Sequence, residues 1–275
     1  MDRIPRRVKT EGTFHSISRN YRRLFMNKKT QLKKKFEQTS FSYNEFAIAQ
    51  KKIADHLHHL MSLYIQDKAR NKILEIGCGT GFLSQYIAQL NPSTYYLNDL
   101  NEYVEDLLRP TLKEINYQVL VGDAEELQFP YHLDLVASSS CFQWFNDLPD
   151  FLNQIAQHIK EKGFLFFSSF GPDNLKEIRA ITNRGLTYHS CSEIVELLPD
   201  CYELLFAKEE HLKLRFDCPY DVLKHLKYTG VNASFNTVWT KADFKNFCTQ
   251  YSKYFTESAQ VTLTYHPLYI GLKKR

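Results

Sequence analysis

A glycine-rich turn between an apolar run and an amphipathic run most constrains the fold of this chain. Residues 73–81 read ILEIGCGTG, which places three glycines in five positions. The run before the glycines predicts a buried strand over 72–76, and the periodicity of FLSQYIAQL after them predicts a helix. A glycine turn that joins a strand to a helix is typical of nucleotide-binding α/β folds. We therefore expect a sheet to form around this unit.

The alternation of strand and helix patterns continues along the chain. We predict strands over 94–99, 117–123, 133–140 and 164–170, and helices over 103–113 and 148–160. Asp147 and Pro149 mark the start of the second helix, as an N-cap and a first-turn proline. This order predicts the α/β class, with a parallel sheet, helices on both faces and a ligand crevice at the carboxyl ends of the strands.

The alternation of strand and helix patterns changes in the last third of the chain. Residues 211–216 and 261–274 have strand patterns, but the segment between them is too long for a hairpin loop. That segment contains two helical patterns, PYDVLKHLKYTG and KADFKNFCTQYSKYF. We therefore expect a helical insertion over about 217–258 that covers the crevice.

Positive charge is concentrated at the N-terminus. Residues 1–35 contain twelve of the 35 lysines and arginines and two acidic residues, whereas the rest of the chain has 23 basic and 29 acidic residues. We predict a flexible basic arm over 1–35 and one globular domain over 36–275. The mildly acidic domain argues against nucleic acid as a partner, and no apolar stretch is long enough to cross a membrane. We expect a monomer that binds neither nucleic acid nor a membrane.

The six cysteines occur without a CxxC pair or a regular spacing. This pattern is typical of reduced thiols in a cytoplasmic protein and predicts no zinc site. His56, His58 and His59 lie on one predicted helix, but no cysteine or carboxylate set nearby completes a ligand shell. We therefore expect no metal.

The glycine turn departs from the dinucleotide fingerprint G-x-G-x-x-G, because Phe82 occupies the position of the third glycine. Glu75 would repel a pyrophosphate but suits a ligand with a cationic centre and an amino group. Asp99 ends the second predicted strand, where an acid can accept both hydroxyls of a ribose. Asp123 ends the third, where it can accept from an adenine amino group. These features favour S-adenosylmethionine over NAD.

Together with the glycine turn, these acids resemble the class I S-adenosylmethionine-dependent methyltransferases over about residues 70–170. The resemblance implies a doubly wound, mostly parallel, Rossmann-like sheet of seven strands. We expect the cofactor site to consist of Glu75, Gly77, Cys78, Gly79, Gly81, Asp99, Leu100, Asp123, Ala124 and Ser139.

Further segments resemble one methyltransferase family across roughly residues 36–272. They are FEQTSFSYNEFAIAQKKIA (36–54), CFQWFNDLPDFL (141–152), SSFGPDNLKEI (168–178), LTYHSCSEIVELL (186–198) and LKYTGVNA (226–233). Their combination is similar to the malonyl-acyl-carrier-protein O-methyltransferases of biotin synthesis. The long basic extension before residue 30 departs from that family.

The resemblance implies methyl transfer from S-adenosylmethionine to the free carboxylate of malonyl-acyl-carrier protein, which gives the methyl ester that starts pimeloyl synthesis for biotin. A carboxylate is ionised at pH 7, so the reaction needs no general base and depends on alignment and water exclusion. Carrier proteins of this pathway are acidic, which implies docking on basic residues near the crevice. Candidates are Lys176, Arg179, Arg184, Lys224, Lys227 and the run over 28–35.

Residues near the predicted strand ends, and on a helix that the periodicity predicts over 43–64, are candidates for the chemistry. The candidate catalytic residues are Tyr43, Gln143 and Trp144, and the candidate substrate-binding residues are Gln50, Phe170, Lys176, Arg179 and Asn232. Packing in the core or a solvated helix face would explain several of the same positions.

Two other functions are open at this point. One is methylation of another small carboxylate or of a quinone-type ring, for which His132 or His189 would have to act as a base. The other is a non-catalytic scaffold that binds S-adenosylmethionine, although the intact acids and glycines of the turn argue against it.

Overall fold

The computed structural model describes residues 29–30, 33–38, 42–65, 71–113, 115–230 and 239–275. The main elements, in chain order, are α1 (Ile48–Ser62), β1 (Lys72–Ile76), α2 (Ser84–Ala88), β2 (Thr94–Asp99), α3 (Val104–Leu108), β3 (Tyr117–Val121), β4 (Leu133–Ser138), a 3₁₀ turn (Phe142–Trp144), α4 (Leu148–His158), β5 (Ile159–Phe170), α5 (Lys176–Thr182), α6 (Cys191–Glu196), β6 (Tyr202–Glu209), β7 (Leu212–Phe216), α7 (Pro219–Tyr228), α8 (Lys241–Phe255), β8 (Thr256–Glu257), β9 (Gln260–Tyr265) and β10 (Pro267–Lys274). Within the described ranges, no helix is long and apolar enough to cross a membrane.

Seven strands form one sheet in the order β3-β2-β1-β4-β5-β10-β6. Strands β1 to β5 pair in parallel, and β10 runs antiparallel to both β5 and β6. The predicted seven-stranded, mostly parallel sheet is therefore confirmed. The strand order reverses between β1 and β4, which is where sheets of this kind open a ligand crevice.

Helices cover both faces of the sheet. Ile73 and Leu74 are neighbours on β1, yet they belong to two different buried clusters, one that includes α1 and one that includes α4. Successive side chains of a strand point to opposite faces, so both faces of the sheet are buried. Helix α4 begins as predicted, because the Asp147 side chain accepts a hydrogen bond from the backbone N–H of Asp150 at 3.0 Å. The doubly wound architecture follows from this two-sided burial.

Three elements differ from the predictions. The helix predicted over 103–113 is limited to Val104–Leu108, since Pro110 cannot continue it. The strand predicted over 261–274 is two strands, β9 and β10, of which β9 pairs with β7 and β8 in a separate three-stranded sheet. Strand β6 has no counterpart among the predictions, and it forms the edge of the main sheet.

Two helices, α7 and α8, lie between β7 and β9, in the segment where the helical insertion is expected. The predicted arm over 1–35 falls mostly on residues outside the described ranges, and the division at residue 35 stays a prediction. Lys29, Thr30 and residues 33–38 are helical, and residues 42–46 form a helical turn before α1.

Candidate active site

A cavity opens at the carboxyl ends of β1 to β4, beside the glycine turn, and is called the first cavity below. Nine of the ten residues predicted to bind the cofactor line it: Glu75, Gly77, Cys78, Gly79, Asp99, Leu100, Asp123, Ala124 and Ser139. Gly81 is not among the lining residues, and a Cβ atom there would lie 2.8 Å from Cδ2 of Leu108. Gly81 therefore serves the packing of the turn against α3.

The glycine turn leaves its ligand side open. Gly77 has φ +66°, and a Cβ atom there would lie 2.4 Å from Sγ of Cys141, so only glycine fits. The backbone N–H groups of Gly77 and Cys78 donate to the Asn98 carbonyl at 2.8 and 3.0 Å, which ties the turn to β2. Gly79 has φ +53° and nothing within 4 Å of an added Cβ. A ligand can therefore approach the backbone at Gly79.

Asp99 has a part in shaping the turn as well as in facing the cavity. Its two carboxylate oxygens accept hydrogen bonds from the backbone N–H groups of Gly79 and Asn101, each at 2.8 Å. Burial raises the pKa of Asp99, and these backbone donors oppose that shift. Each carboxylate oxygen can accept a second hydrogen bond, so the pair of oxygens stays available to a ribose diol.

Glu75 is a buried acid without a cation beside it among the described residues. It is 1 % exposed, and the Tyr95 hydroxyl donates a hydrogen bond to it. Burial raises the pKa of Glu75 to about 7, the charge of Asp99 adds to the rise, and hydrogen bonds from Tyr95 and Ser84 oppose it. A ligand that carries an ammonium or sulfonium group would supply the missing positive charge.

Asp123 is bound by a residue of the N-terminal segment. The Lys29 ammonium donates to both oxygens of Asp123, at 2.6 and 2.7 Å, and also to Glu125. The same ammonium lies 5.5 Å from the centre of the Phe145 ring. Lys29 and Lys33 line the first cavity, so the helical residues after position 28 form part of its wall.

A second cavity lies next to the first and is lined, within the described residues, by uncharged side chains. Its described lining residues are Phe36, Tyr43, Gln50, Ser140, Gln143, Trp144, Phe170, Asn174, Tyr188, Thr229 and Tyr265. Five of these residues also line the first cavity: Phe36, Tyr43, Gln50, Ser140 and Trp144. No Asp, Glu, His, Lys or Arg occurs among the described residues of the second cavity.

Three buried polar atoms in the walls of the second cavity lack a hydrogen-bond partner within the described part of the chain. They are Oε1 of Gln50, Oε1 of Gln143 and Oγ of Ser140. The amide nitrogen of Gln143 donates to the Ser140 carbonyl at 2.5 Å, so its oxygen is the atom left free. Buried polar atoms are nearly always hydrogen-bonded, so a water molecule or a polar group of a ligand in the cavity would supply the partner.

The structure brings most of the predicted substrate and catalytic residues together. Tyr43, Trp144 and Gln50 lie between the two cavities, and Gln143 and Phe170 line the second. Their roles stay predictions.

Of the other three predicted residues, two line neither cavity and the third is not described by the structure. Lys176 is exposed, with its ammonium 3.5 Å from an Asp173 oxygen. The guanidinium carbon of Arg179 lies over the Tyr188 ring, 5.8 Å from its centre. Asn232 lies outside the described residues.

Six residues of the second cavity are absent from the sequence-based set: Asn174, Tyr188, Thr229, Tyr265, Phe36 and Ser140. The Tyr265 hydroxyl oxygen lies 2.8 Å from Nε2 of His225. Burial lowers the pKa of His225 to about 4, so this imidazole is neutral at pH 7. Asn174, Tyr188 and Thr229 occur within the family segments quoted in the sequence analysis. No periodicity distinguishes the side chains of those segments that face a cavity from those that pack in the core.

The sheet order, the G-x-G-x-G turn and the acids at the ends of the first three strands define a class I S-adenosylmethionine-dependent methyltransferase. The family described as "Methyltransferase domain" matches residues 74–167. The crystal structure of the YcgJ protein from Bacillus subtilis has the same fold, with a TM-score of 0.58 and 16 % identity, over 80 % of this chain and 99 % of that one. S-adenosylmethionine is the cofactor, and the open face of Gly79 and the carboxylates of the first cavity fit it.

Within this class, the chain belongs to the malonyl-[acyl-carrier protein] O-methyltransferase family. The relative from Acinetobacter baylyi is 38 % identical over 253 residues, which covers 90 % of this chain and 98 % of the relative. The relative from Bacteroides thetaiotaomicron is 35 % identical over 258 residues, with the same two coverages. These similarities confirm the family resemblance seen in the sequence.

Proposed function

We propose that the protein transfers the methyl group of S-adenosylmethionine to the free carboxylate of malonyl-acyl-carrier protein. The observation that carries this proposal is the second cavity, which shares five lining residues with the cofactor cavity and whose described lining residues are all uncharged. The family to which the chain belongs supplies the identity of the acceptor. The methyl ester would start pimeloyl synthesis for biotin, as the sequence resemblance implies.

The walls of the second cavity suit an acceptor that is already a nucleophile. Bound S-adenosylmethionine supplies a methyl group on a positively charged sulfur. The malonyl carboxylate is ionised at pH 7, so the protein has to align it but not deprotonate it. Tyr43, Trp144 and Phe170 place aromatic surface around the acceptor position and exclude water, which favours a reaction between opposite charges.

The rival acceptor, a quinone-type ring, lacks the base that it would need. His132 directly precedes β4, at the amino end of that strand, whereas the cavities lie at the carboxyl ends. His189 is exposed and precedes α6. Neither histidine lines a cavity, and the described residues of the second cavity include no other base. A carboxylate acceptor is therefore favoured.

The carrier protein is proposed to dock on four residues beside the second cavity, called the Lys224 patch: Phe46, Lys224, Lys227 and Tyr228. The rings of Phe46 and Tyr228 stack with their centres 4.5 Å apart. The Lys224 ammonium lies 5.6 Å from the Phe46 ring, and the Lys227 ammonium lies 6.0 Å from the Tyr228 ring. Thr229, the next residue, lines the second cavity. The patch thus offers two exposed positive charges close to the acceptor position.

The protein is further proposed to act as a monomer in the cytoplasm. Its six cysteines are all free thiols, a state that a reducing compartment maintains.

Mass spectrometry tests the acceptor directly. Malonyl-acyl-carrier protein incubated with the protein and S-adenosylmethionine should gain the mass of one methyl ester. Acetyl-acyl-carrier protein, which has the same arm but no free carboxylate, is the matched control and should gain nothing. Methylation of neither substrate, or of both equally, would overturn the proposal.

A further inference from the structure

The orientation of one buried amide determines which kind of atom the second cavity offers on its Asn174 side. Asn174 is 2 % exposed, and its Oδ1 accepts a hydrogen bond from the backbone N–H of His266 at 3.3 Å. Its Nδ2 donates to the Tyr188 hydroxyl oxygen at 3.0 Å. Because a backbone N–H can only donate, the amide has to present its oxygen to His266 and its nitrogen to Tyr188. The direction of this hydrogen-bond chain is therefore determined.

The turn that carries Asn174 is itself held in place. The Gly171 N–H donates to the His266 carbonyl at 2.7 Å, and the Asp173 N–H donates to Nδ1 of His266 at 3.1 Å. The Leu175 N–H donates to the Thr264 carbonyl at 2.7 Å. Residues 171–175 are thus attached to the junction of β9 and β10 by backbone hydrogen bonds. This support keeps the Asn174 amide in one orientation.

The chain of hydrogen bonds ends at a donor. The Tyr188 oxygen already accepts from Asn174, and Tyr188 lines the second cavity. Its own O–H proton is therefore available to a group in that cavity. Accepting a hydrogen bond makes a hydroxyl a better donor, and the Arg179 guanidinium lies 5.8 Å from the ring centre. Both neighbours strengthen Tyr188 as a donor.

Two glutamines in the lining of the same cavity offer acceptors. Gln143 uses its nitrogen on the Ser140 carbonyl and leaves Oε1 free, and Oε1 of Gln50 is also without a partner in the described chain. An amide oxygen repels a carboxylate but suits an N–H or a cationic group. The carboxylate of an acceptor would therefore bind at Tyr188 and away from the two glutamines.

We infer that the Tyr188 hydroxyl donates a hydrogen bond to the carboxylate of the acceptor, and that Asn174 is the positioning residue that directs it. The inference rests on the proposed function, because it assigns the carboxylate of that substrate to one side of the cavity. A neutral donor suits this reaction. It orients the carboxylate without cancelling the negative charge that attacks the methyl carbon, whereas a lysine or arginine at the same position would weaken the nucleophile.

Tyr188→Phe is the first test, because it removes the hydroxyl and keeps the ring over Arg179. The KM for malonyl-acyl-carrier protein should rise about tenfold to a hundredfold, the range for a hydrogen bond to a charged group. The value of kcat should stay the same or rise, since the carboxylate loses charge in the transition state and needs the donor less there. Inhibition by acetyl-acyl-carrier protein and affinity for S-adenosylmethionine should not change.

Tyr254→Phe is the matched control, since Tyr254 is exposed on α8 and lines neither cavity. An unchanged KM in Tyr188→Phe would overturn the inference, and so would an equal loss of affinity for the acetyl form, which indicates a structural role. If the unaltered protein does not methylate malonyl-acyl-carrier protein at all, the proposed function fails and the inference fails with it. If the unaltered protein methylates malonyl-acyl-carrier protein and Tyr188→Phe does so with the same KM, the inference fails and the proposed function stands.

Asn174→Asp tests the positioning role. Aspartate still accepts from the His266 N–H, but it would also accept the Tyr188 proton and turn the donor away from the cavity. The KM should rise as in Tyr188→Phe, and the double variant should show no further increase. Additive losses would overturn the assignment of Asn174. Thermal unfolding and binding of S-adenosylmethionine report whether Asn174→Asp folds. Whether or not it folds, the comparison of Tyr188→Phe with Tyr254→Phe decides the role of the Tyr188 hydroxyl as a donor.

Discussion

Among the single residues of the site, Glu75 couples its protonation to ligand binding. Burial raises its pKa to about 7, so much of this carboxyl is protonated at neutral pH before a ligand binds. A cation beside the carboxylate favours the ionised form and lowers this pKa. Below pH 7, binding of S-adenosylmethionine then has to release a proton, so a lower pH opposes binding.

We therefore expect the affinity for S-adenosylmethionine to fall by about tenfold between about pH 7.5 and about pH 5.5. Titration calorimetry at a series of pH values measures this change. Glu75→Gln should bind more weakly at high pH and should show a shallower pH dependence. Any titration of the cofactor itself is common to both proteins and cancels in the comparison. Parallel pH profiles for the two proteins would contradict the role of Glu75.

Glu75 and Tyr188 differ in what the sequence reveals about them. Glu75 is adjacent to the glycine turn, and the strand pattern before it places it at the ligand crevice. Tyr188 depends on Asn174, and Asn174 depends on the backbone of His266, a residue on another part of the chain. No local pattern records a contact between residues so far apart in sequence. The cofactor half of the site was therefore predictable and the acceptor half only partly so.

Among the elements, the first five strands were predictable because they are apolar runs between glycine, proline and polar turns. Most residues of β1 and all of β4 are buried, as expected for central strands. Strand β6 is an edge strand with exposed charged residues, which removes the apolar signal. The run over 261–272 stays buried across the point where the chain passes from the small sheet to the main one. Periodicity alone does not show that change of sheet.

The turn over 42–46 and the residue after helix α7 contribute to the second cavity, since Tyr43 and Thr229 both line it. Tyr228 of α7 stacks on Phe46 of the turn, with ring centres 4.5 Å apart. Phe36 lies against Gly230, where a Cβ atom would be 3.1 Å from the Phe36 ring. These contacts are between separate segments that lie outside the main sheet, so they can open without disrupting it. We infer that the two segments form a lid.

Hydrogen exchange tests the lid. Backbone amides over 219–230 and 42–46 should exchange more slowly when S-adenosylhomocysteine and malonyl-acyl-carrier protein are both bound, because opening would expose the closed cavity. Strand β4 is fully buried in the sheet and should exchange slowly with or without ligands. If exchange over 219–230 is the same in the free and the bound protein, α7 is a fixed wall and the lid does not exist.

For the protein as a whole, charge is distributed so that docking has to be local. Outside residues 1–35, acids outnumber bases by 29 to 23, so the net field of the domain repels an acidic partner. The Lys224 patch has two exposed lysines within this domain, and Lys176 and Arg184 are also exposed after β5. An exposed pair contributes only about 0–1 kcal/mol, so docking depends on several charges together. Such contacts act mainly on the rate of association.

Salt and charge reversal together test the docking surface. At about 0.5 M ionic strength the screening length falls to a few ångströms. The kcat/KM for malonyl-acyl-carrier protein should then fall strongly, whereas that for a small malonyl thioester should change little. Lys224→Glu should lower kcat/KM for the carrier substrate about threefold to tenfold at low salt, and the loss should disappear at high salt.

Lys113→Glu changes the net charge of the protein by the same amount and is the matched control. Lys113 is exposed ahead of the amino end of β3, on the edge of the sheet away from the cavities. It should leave the kcat/KM of both substrates unchanged, because solvent ions largely screen a charge that lies more than a Debye length from the docked partner. Equal losses in Lys224→Glu and Lys113→Glu would mean that overall charge governs association. Equal salt dependence for the carrier substrate and the small thioester would leave recognition to the malonyl group and its arm, and the Lys224 patch would have no part in it.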